Sequence, residues 1–264
     1  MTQRLTTSLL GIAIDTDSLD NLVERSMVVI EHGSGESIIF SCANPHSLVV
    51  AQHDTEFRQA LIQSDIVVAD GAGITLLSRL FGIHTGPRIT GTDYYIAMMT
   101  ALQRRGGGRV VFFGSSERVL DLIACRFEND FPDVKLVGTI SPPFRAWSEF
   151  ENEALVNQIN TAKPDVLWVG MTAPKQEKWV QQNRNRLNVP LIGSIGAVFD
   201  FYAGTKPRAP EWMCRMGIEW LHRLLKEPKR MWKRNFVSTP RFVALMLNHH
   251  IFASNQHQQR RKDY

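Results

Sequence analysis

Six short runs of apolar, β-prone residues recur through the first three quarters of the chain: Ser37-Ile-Ile-Phe-Ser41, Ile66-Val-Val-Ala69, Arg109-Val-Val-Phe-Phe113, Lys135-Leu-Val137, Asp165-Val-Leu-Trp-Val169 and Val189-Pro-Leu-Ile192. They are mostly apolar throughout rather than alternating, as in strands covered on both faces. Helix-like stretches near 45–63, 72–81, 92–104, 116–130, 147–162 and 174–187 lie among them. Strand and helix in alternation predict an α/β fold, an open, mostly parallel sheet with helices on both faces. Ligands of such sheets bind beyond the carboxyl ends of the strands. The candidate strands run out on Cys42-Ala-Asn44, Asp70-Gly71, Gly114-Ser-Ser116, Gly170-Met-Thr172 and Gly193-Ser194.

From Pro210 the alternation stops. Trp212, Met216, Trp220 and Leu224 recur every four residues, which predicts one apolar helix face. Pro228 ends that helix and starts another, with Trp232 and Phe236 along one side. Charge shifts with the pattern. Residues 1–203 carry 17 basic and 22 acidic side chains, whereas residues 204–264 carry 13 and 4. We place a boundary there: an α/β body over 1–203, and over 204–264 a basic helical appendage whose polar tail frays from about Ser254. A basic segment on an acidic body suits a polyanion, whether membrane, nucleic acid or phosphate. Trp212, Trp220 and Trp232 have two readings, interfacial anchors or packing residues, and at least one is expected to pack against the body.

No window approaches the ~18 continuous apolar residues of a spanning helix. Met1-Thr-Gln-Arg-Leu-Thr-Thr-Ser8 lacks the apolar core of a signal peptide. Cys42, Cys125 and Cys214 form neither a metal pair nor a disulfide framework, which favours a reducing compartment.

Several strand ends carry chemistry. Asp70-Gly-Ala-Gly73 offers a carboxylate beside backbone that a substrate can approach closely: either a general base for a hydroxyl, or a cap for the next helix. In Arg88-Ile-Thr-Gly-Thr-Asp93, Arg88 suits a phosphate, and Asp93 suits either a helix cap or a sugar hydroxyl. Gly170-Met-Thr-Ala-Pro-Lys-Gln-Glu-Lys-Trp179 turns from strand into helix, where backbone N–H groups attract phosphate, and Gln176 and Glu177 suit a sugar or base. Neither a Walker P-loop nor a G-x-G-x-x-G fingerprint is present. His46, His53 and His84 show no ligand spacing, His249-His250 is an adjacent pair, and no metal site is expected. Asp15-Thr-Asp17 has the form of a metal–nucleotide clamp but lies away from any candidate strand end. Arg223, Arg230 and Lys233 are either diphosphate ligands or a solvated basic face.

Taken together, Asn44-Pro-His46, Val68-Ala-Asp-Gly-Ala-Gly73, Arg88-Ile-Thr-Gly91, Gly170 through Trp179 and Gly193 through Arg230 resemble the WecG/TagA/CpsF family of bacterial glycosyltransferases, glycosyltransferase family 26. The resemblance covers roughly residues 8–240. It implies a Rossmann-like α/β fold and inverting transfer from a UDP-sugar to a sugar on a polyprenyl diphosphate, without metal or other cofactor. The implied location is peripheral, on the cytoplasmic face of the membrane, with no nucleic-acid partner. By the resemblance Asp70 becomes the base; Cys42, Asn44, Arg88, Thr90, Gly91, Asp93, Gly170, Gln176 and Glu177 line the pocket; and Arg223, Arg230 and Lys233 join from the appendage. Relatives often carry threonine at the position of Cys42, and a thiol is a weaker hydrogen-bonding group. The family uses UDP-N-acetylmannosamine, UDP-N-acetylmannosaminuronate and UDP-glucose; a neutral sugar is favoured here. The pathway (teichoic acid, enterobacterial antigen, capsule or exopolysaccharide) stays open, as does self-association into a homo-oligomer. Rival readings are an RNA-binding α/β protein with a basic tail and an NAD-dependent dehydrogenase, the latter disfavoured by the missing fingerprint.

Overall fold

The computed structural model describes residues 4–33 and 37–248, with the side chains of Arg215 and Arg230 outside the described set. A six-stranded, all-parallel sheet forms its centre. Its strands are β3 (Ile38–Ala43), β4 (Ile66–Ala69), β5 (Gly108–Gly114), β6 (Val134–Ile140), β7 (Val166–Gly170) and β8 (Leu191–Ser194), in the order β4-β3-β8-β7-β5-β6. Successive residues point to opposite faces, so each apolar run feeds two cores. Phe40, Phe112 and Trp168 face α1 (Leu19–His32), α5 (Gly91–Arg105), α6 (Glu117–Asp130) and α9 (Val198–Tyr202). Ile39, Val111, Phe113, Leu167, Val169 and Ile192 face α7 (Glu149–Ala162) and α8 (Lys175–Asn183).

The first core is aromatic. Phe40 stacks on Tyr94 with ring centroids 3.8 Å apart, and the Tyr94 hydroxyl lies 2.6 Å from Ser26 Oγ. Trp168 is fully buried, edge-on to Tyr94 and Tyr95. A Cβ at Gly193 would stand 2.3 Å from the Trp168 ring, so the neighbouring strand must carry glycine there.

The N-terminal segment adds elements that the strand pattern did not announce. β1 (Thr6–Leu9) and β2 (Ile12–Asp15) form an antiparallel hairpin, turned by Leu10 and Gly11 at φ 53° and 78°. Asp15 therefore does end a strand, contrary to the expectation, but it serves the fold. It is 2% exposed, accepts from Arg4 Nη2 at 2.7 Å and Arg25 Nη1 at 3.2 Å, and accepts from the Val67 amide at 2.8 Å.

Two further boundaries differ from the reading. The single helix expected over 45–63 is split into α2 (Pro45–Ala51) and α3 (Thr55–Ile62), because Asp54 caps the Phe57 amide and restarts the helix. The apolar face from Trp212 to Leu224 is likewise broken. α10 (Glu211–Arg215) and α11 (Glu219–Lys226) meet at Gly217, whose φ is +72° and whose Cβ would lie 2.6 Å from Ala72 on α4 (Ala72–Leu80). That break scatters the tryptophans. Trp212, Trp220 and Trp232 are 58%, 44% and 60% exposed, so none is buried in the body; Cys214 and Met231 are the buried anchors instead. α12 (Pro228–Trp232) leads through a π-helical turn, Lys233–Ser238, into a helix over 239–248. There Phe242 and Met246 enter the core formed by the hairpin, α2 and β4. His249-His250 and the tail beyond Ser254 lie outside the described residues.

Candidate active site

The carboxyl ends of β3, β5, β7 and β8 open into a cleft of about 610 Å³. A second chamber of about 270 Å³ lies between the start of α2, the start of α4 and the appendage. Asn44, Asp70, Glu219, Arg223 and Arg234 line both, and so form the wall between them.

Asp70 follows β4 directly, its amide donating to Ala43 O at 2.8 Å. Gly71, at φ +94°, is the N-cap of α4, so the capping alternative for Asp70 falls away. Burial pushes the Asp70 carboxyl up to about 6, against the pull of Arg223, Arg234 and Arg88 and with a further push from Glu219. It is ionised at neutral pH yet a stronger base than an ordinary carboxylate. Asn44 caps α2, its Oδ1 accepting from the Ser47 amide at 3.1 Å.

The N-termini of α5, α6 and α8 contribute cleft walls through Thr90–Thr92, Ser115–Ser116, and Thr172, Ala173 and Lys175. Such termini favour anions. Thr90 and Asp93 close a capping box on α5: Asp93 Oδ2 accepts from the Thr90 amide at 2.9 Å and its Oγ1 at 2.8 Å. Gly91 brings the start of α5 against Cys42, where a Cβ would meet Sγ at 3.5 Å. Burial raises the Cys42 thiol well above its usual range, so it faces the cleft uncharged. A Cβ at Gly170 would lie 2.4 Å from the Phe199 ring, so this glycine serves packing as well as the cleft wall. Gln176 and Glu177 are both buried, with Gln176 Nε2 donating to Glu177 Oε1 at 2.9 Å; burial pushes the Glu177 carboxyl up to about 7.

Of the residues singled out from sequence, Cys42, Asn44, Asp70, Thr90, Gly91, Gly170, Gln176, Glu177 and Arg223 converge on the main cleft. Arg88 lies in the second chamber, with Nη1 3.9 Å from Glu219 Oε2. Asp93 is outside both linings; it caps its helix and lies 3.6 Å from Arg208 Nη2. Lys233 is exposed and also outside both, while its neighbour Arg234 lines both. The π-helical turn that begins at Lys233 adds a residue per turn relative to an α-helical reading, which misphases a 3.6-residue wheel. The side chain of Arg230 is outside the described residues. Sequence reasoning missed Ser194, Glu219 and Arg234; for Ser194 the signal was its place at a strand end. His46 docks the appendage, with Nδ1 2.8 Å from Ser238 Oγ, and burial with Arg234 and Lys233 lowers its pKa to about 4. Among the described residues, no three of His, Cys, Asp and Glu stand together as a metal site, and no helix is long and apolar enough to cross a membrane.

A Bacillus subtilis (strain 168) protein named N-acetylglucosaminyldiphosphoundecaprenol N-acetyl-beta-D-mannosaminyltransferase is 27% identical over 209 residues, 79% of this chain and 78% of its own length. Proteins of the same name from Bacillus spizizenii (strain ATCC 23059 / NRRL B-14472 / W23) and Staphylococcus aureus (strain MW2) are 25% and 24% identical, covering 92% and 84% of this chain and 91% and 85% of theirs. Residues 7–256 match the sequence model described as the Glycosyl transferase WecG/TagA/CpsF family, and the chain belongs to that family of glycosyltransferases.

Proposed function

We propose that the chain moves a sugar from UDP to a sugar carried on a polyprenyl diphosphate, inverting the anomeric carbon in one displacement. The observation that carries this reading is Asp70, a carboxylate raised to about 6, standing in the wall common to two chambers with arginines around it. The UDP-sugar occupies the main cleft, its diphosphate drawn to the helix N-termini and to Arg223 and Arg234. The acceptor enters through the second chamber, where Arg88 serves its diphosphate. Asp70 takes the proton of the acceptor hydroxyl as that oxygen attacks the anomeric carbon, and UDP leaves from the opposite face. Negative charge grows on the leaving diphosphate, and the arginines offset it without a divalent metal. The relatives' names direct the first choice of substrates to UDP-N-acetylmannosamine and an N-acetylglucosaminyl diphospholipid.

The test is transfer from UDP-N-acetylmannosamine and UDP-glucose to that acceptor with EDTA present. Product with inverted configuration is expected from one donor. Product only after a divalent metal is restored would remove the metal-free mechanism, and lack of any saturable UDP binding would remove the UDP-sugar reading.

The same reading places the protein on the inner face of the cytoplasmic membrane. Exposed Trp212, Trp232, Leu221 and Leu225 lie close in sequence to Lys226, Lys229 and Lys233, a pairing of apolar and basic groups suited to an anionic interface. At ~1 kcal/mol per basic residue near such a surface, Lys226→Ala with Lys229→Ala should weaken binding by about one order of magnitude or more. Flotation with phosphatidylglycerol vesicles checks this; binding indifferent to salt and to both substitutions would defeat it.

A further inference from the structure

Three side-chain atoms in the lining of the main cleft are buried without a hydrogen-bond partner: Gln176 Oε1, Glu177 Oε2 and Ser194 Oγ. Their residues are 5%, 4% and 1% exposed. Folded chains seldom leave a buried polar atom unpaired, because the group has lost water and gained nothing. Other unpaired atoms, such as Ser78 Oγ and Tyr95 Oη, belong to residues outside this lining. Here three share one cavity wall, which is the pattern of a site whose ligand supplies the missing partners.

Their chemistry narrows the ligand. One N–H of Gln176 Nε2 is engaged by Glu177 Oε1, and the atoms with no partner are two acceptor oxygens and one hydroxyl. A phosphate presents oxygens and suits the arginines, not this floor. A hydroxyl-rich ring presents the donors that are missing. The fold keeps the space open: Gly196, at φ +44°, would carry a Cβ 3.2 Å from Gln176 Oε1. Ser194 ends β8 beside Val169 of β7, and α8 begins shortly after β7, so one strand pair brings the three groups together.

We propose that Ser194, with Gln176 and Glu177, forms the floor that reads hydroxyl groups of the transferred sugar, and that Ser194 is a specificity-determining contact. The assignment rests on the donor reading given above. Glu177, raised to about 7 by burial, can present a proton as well as a lone pair near neutral pH, as a hydroxyl partner allows.

The experiment compares wild type with Ser194→Ala, using UDP and whichever of UDP-N-acetylmannosamine and UDP-glucose is turned over. The variant should bind UDP within about twofold of wild type, and its KM for the UDP-sugar should rise about tenfold, the scale of one lost hydrogen bond. The ligand-free variant should melt no lower than wild type, since an unpaired buried hydroxyl has been removed. Deoxy analogues of the sugar give an independent measure in native protein. One hydroxyl deletion should reproduce the tenfold loss in wild type and cost nothing further in Ser194→Ala. Equal weakening of UDP and UDP-sugar, or unchanged KM with normal UDP binding, would overturn the assignment alone. Failure of wild type to bind UDP would overturn the donor reading and this one with it.

Discussion

Asp70→Asn is expected to lower turnover by about 10²–10⁴-fold, the usual loss when a positioned general base is removed, while leaving UDP binding near wild type. The amide keeps the size of the carboxylate but cannot accept the proton. In wild type, kcat/KM should rise through pH 6 as Asp70 ionises and then level. The same substitution should stabilise the fold, with a defined sign. The Asp70 pKa is raised from 3.8 unfolded to about 6 folded. At a pH below both values the carboxyl is protonated in either state and has no effect. Between them the folded chain holds a proton that the unfolded chain has released, and above about 6 the ionised folded form carries the full cost. Asp70→Asn should therefore melt higher than wild type at pH 8, with the gain fading toward pH 4. Turnover within tenfold of wild type would remove Asp70 from the base role.

Asp15→Ala should be strongly destabilising. It removes a buried carboxylate that joins the hairpin, α1 and β4 through Arg4, Arg25 and the Val67 amide. Two guanidinium groups lose their carboxylate, keeping only the carbonyls of Ser64 and Asp65, and a strand amide loses its acceptor, a loss of about 3 kcal/mol. For a chain of this size that lowers the midpoint by on the order of 10 °C. Asp15→Asn, which keeps an acceptor for Val67, should cost less. Asp15 lines neither chamber, so activity measured well below the midpoint should persist in both. A thermal scan beside a low-temperature assay decides it; an unchanged midpoint would refute the structural role.

The central sheet was legible because most of its strands are buried on two faces and read as apolar runs, as Val166 to Val169 shows. β1 and β2 were not, because Thr6-Thr-Ser-Leu9 is mostly polar and Ile12-Ala-Ile-Asp15 ends on a carboxylate. α1 has a sequence signal of its own, with Ser18 as its cap and Leu22, Val23, Ser26 and Ile30 on one face. In the site, residues at strand ends were found because parallel sheets place ligands there. Arg234 and Glu219 were missed because their positions depend on backbone that departs from a regular helix, at the π-helical turn and at Gly217. Asp93 was ambiguous by chemistry: one short carboxylate suits a cap and a sugar alike, and local geometry decides for the cap.

Phe242 and Met246 give the C-terminal segment a property that its charge conceals. The basic stretch leaves the body after α9 and is fastened to it again beyond the π-helical turn. It is a strap buckled at both ends rather than a streamer. Cys214 and Met231 fasten it between those ends as well, so it is held along its length. Severing the chain at 204 would also pull two side chains from a core shared with the hairpin, so a shortened protein would register damaged folding as lost catalysis. Only substitutions at its exposed positions, clear of Cys214, Met231 and Phe242, separate the work of the strap from the integrity of the frame that holds it.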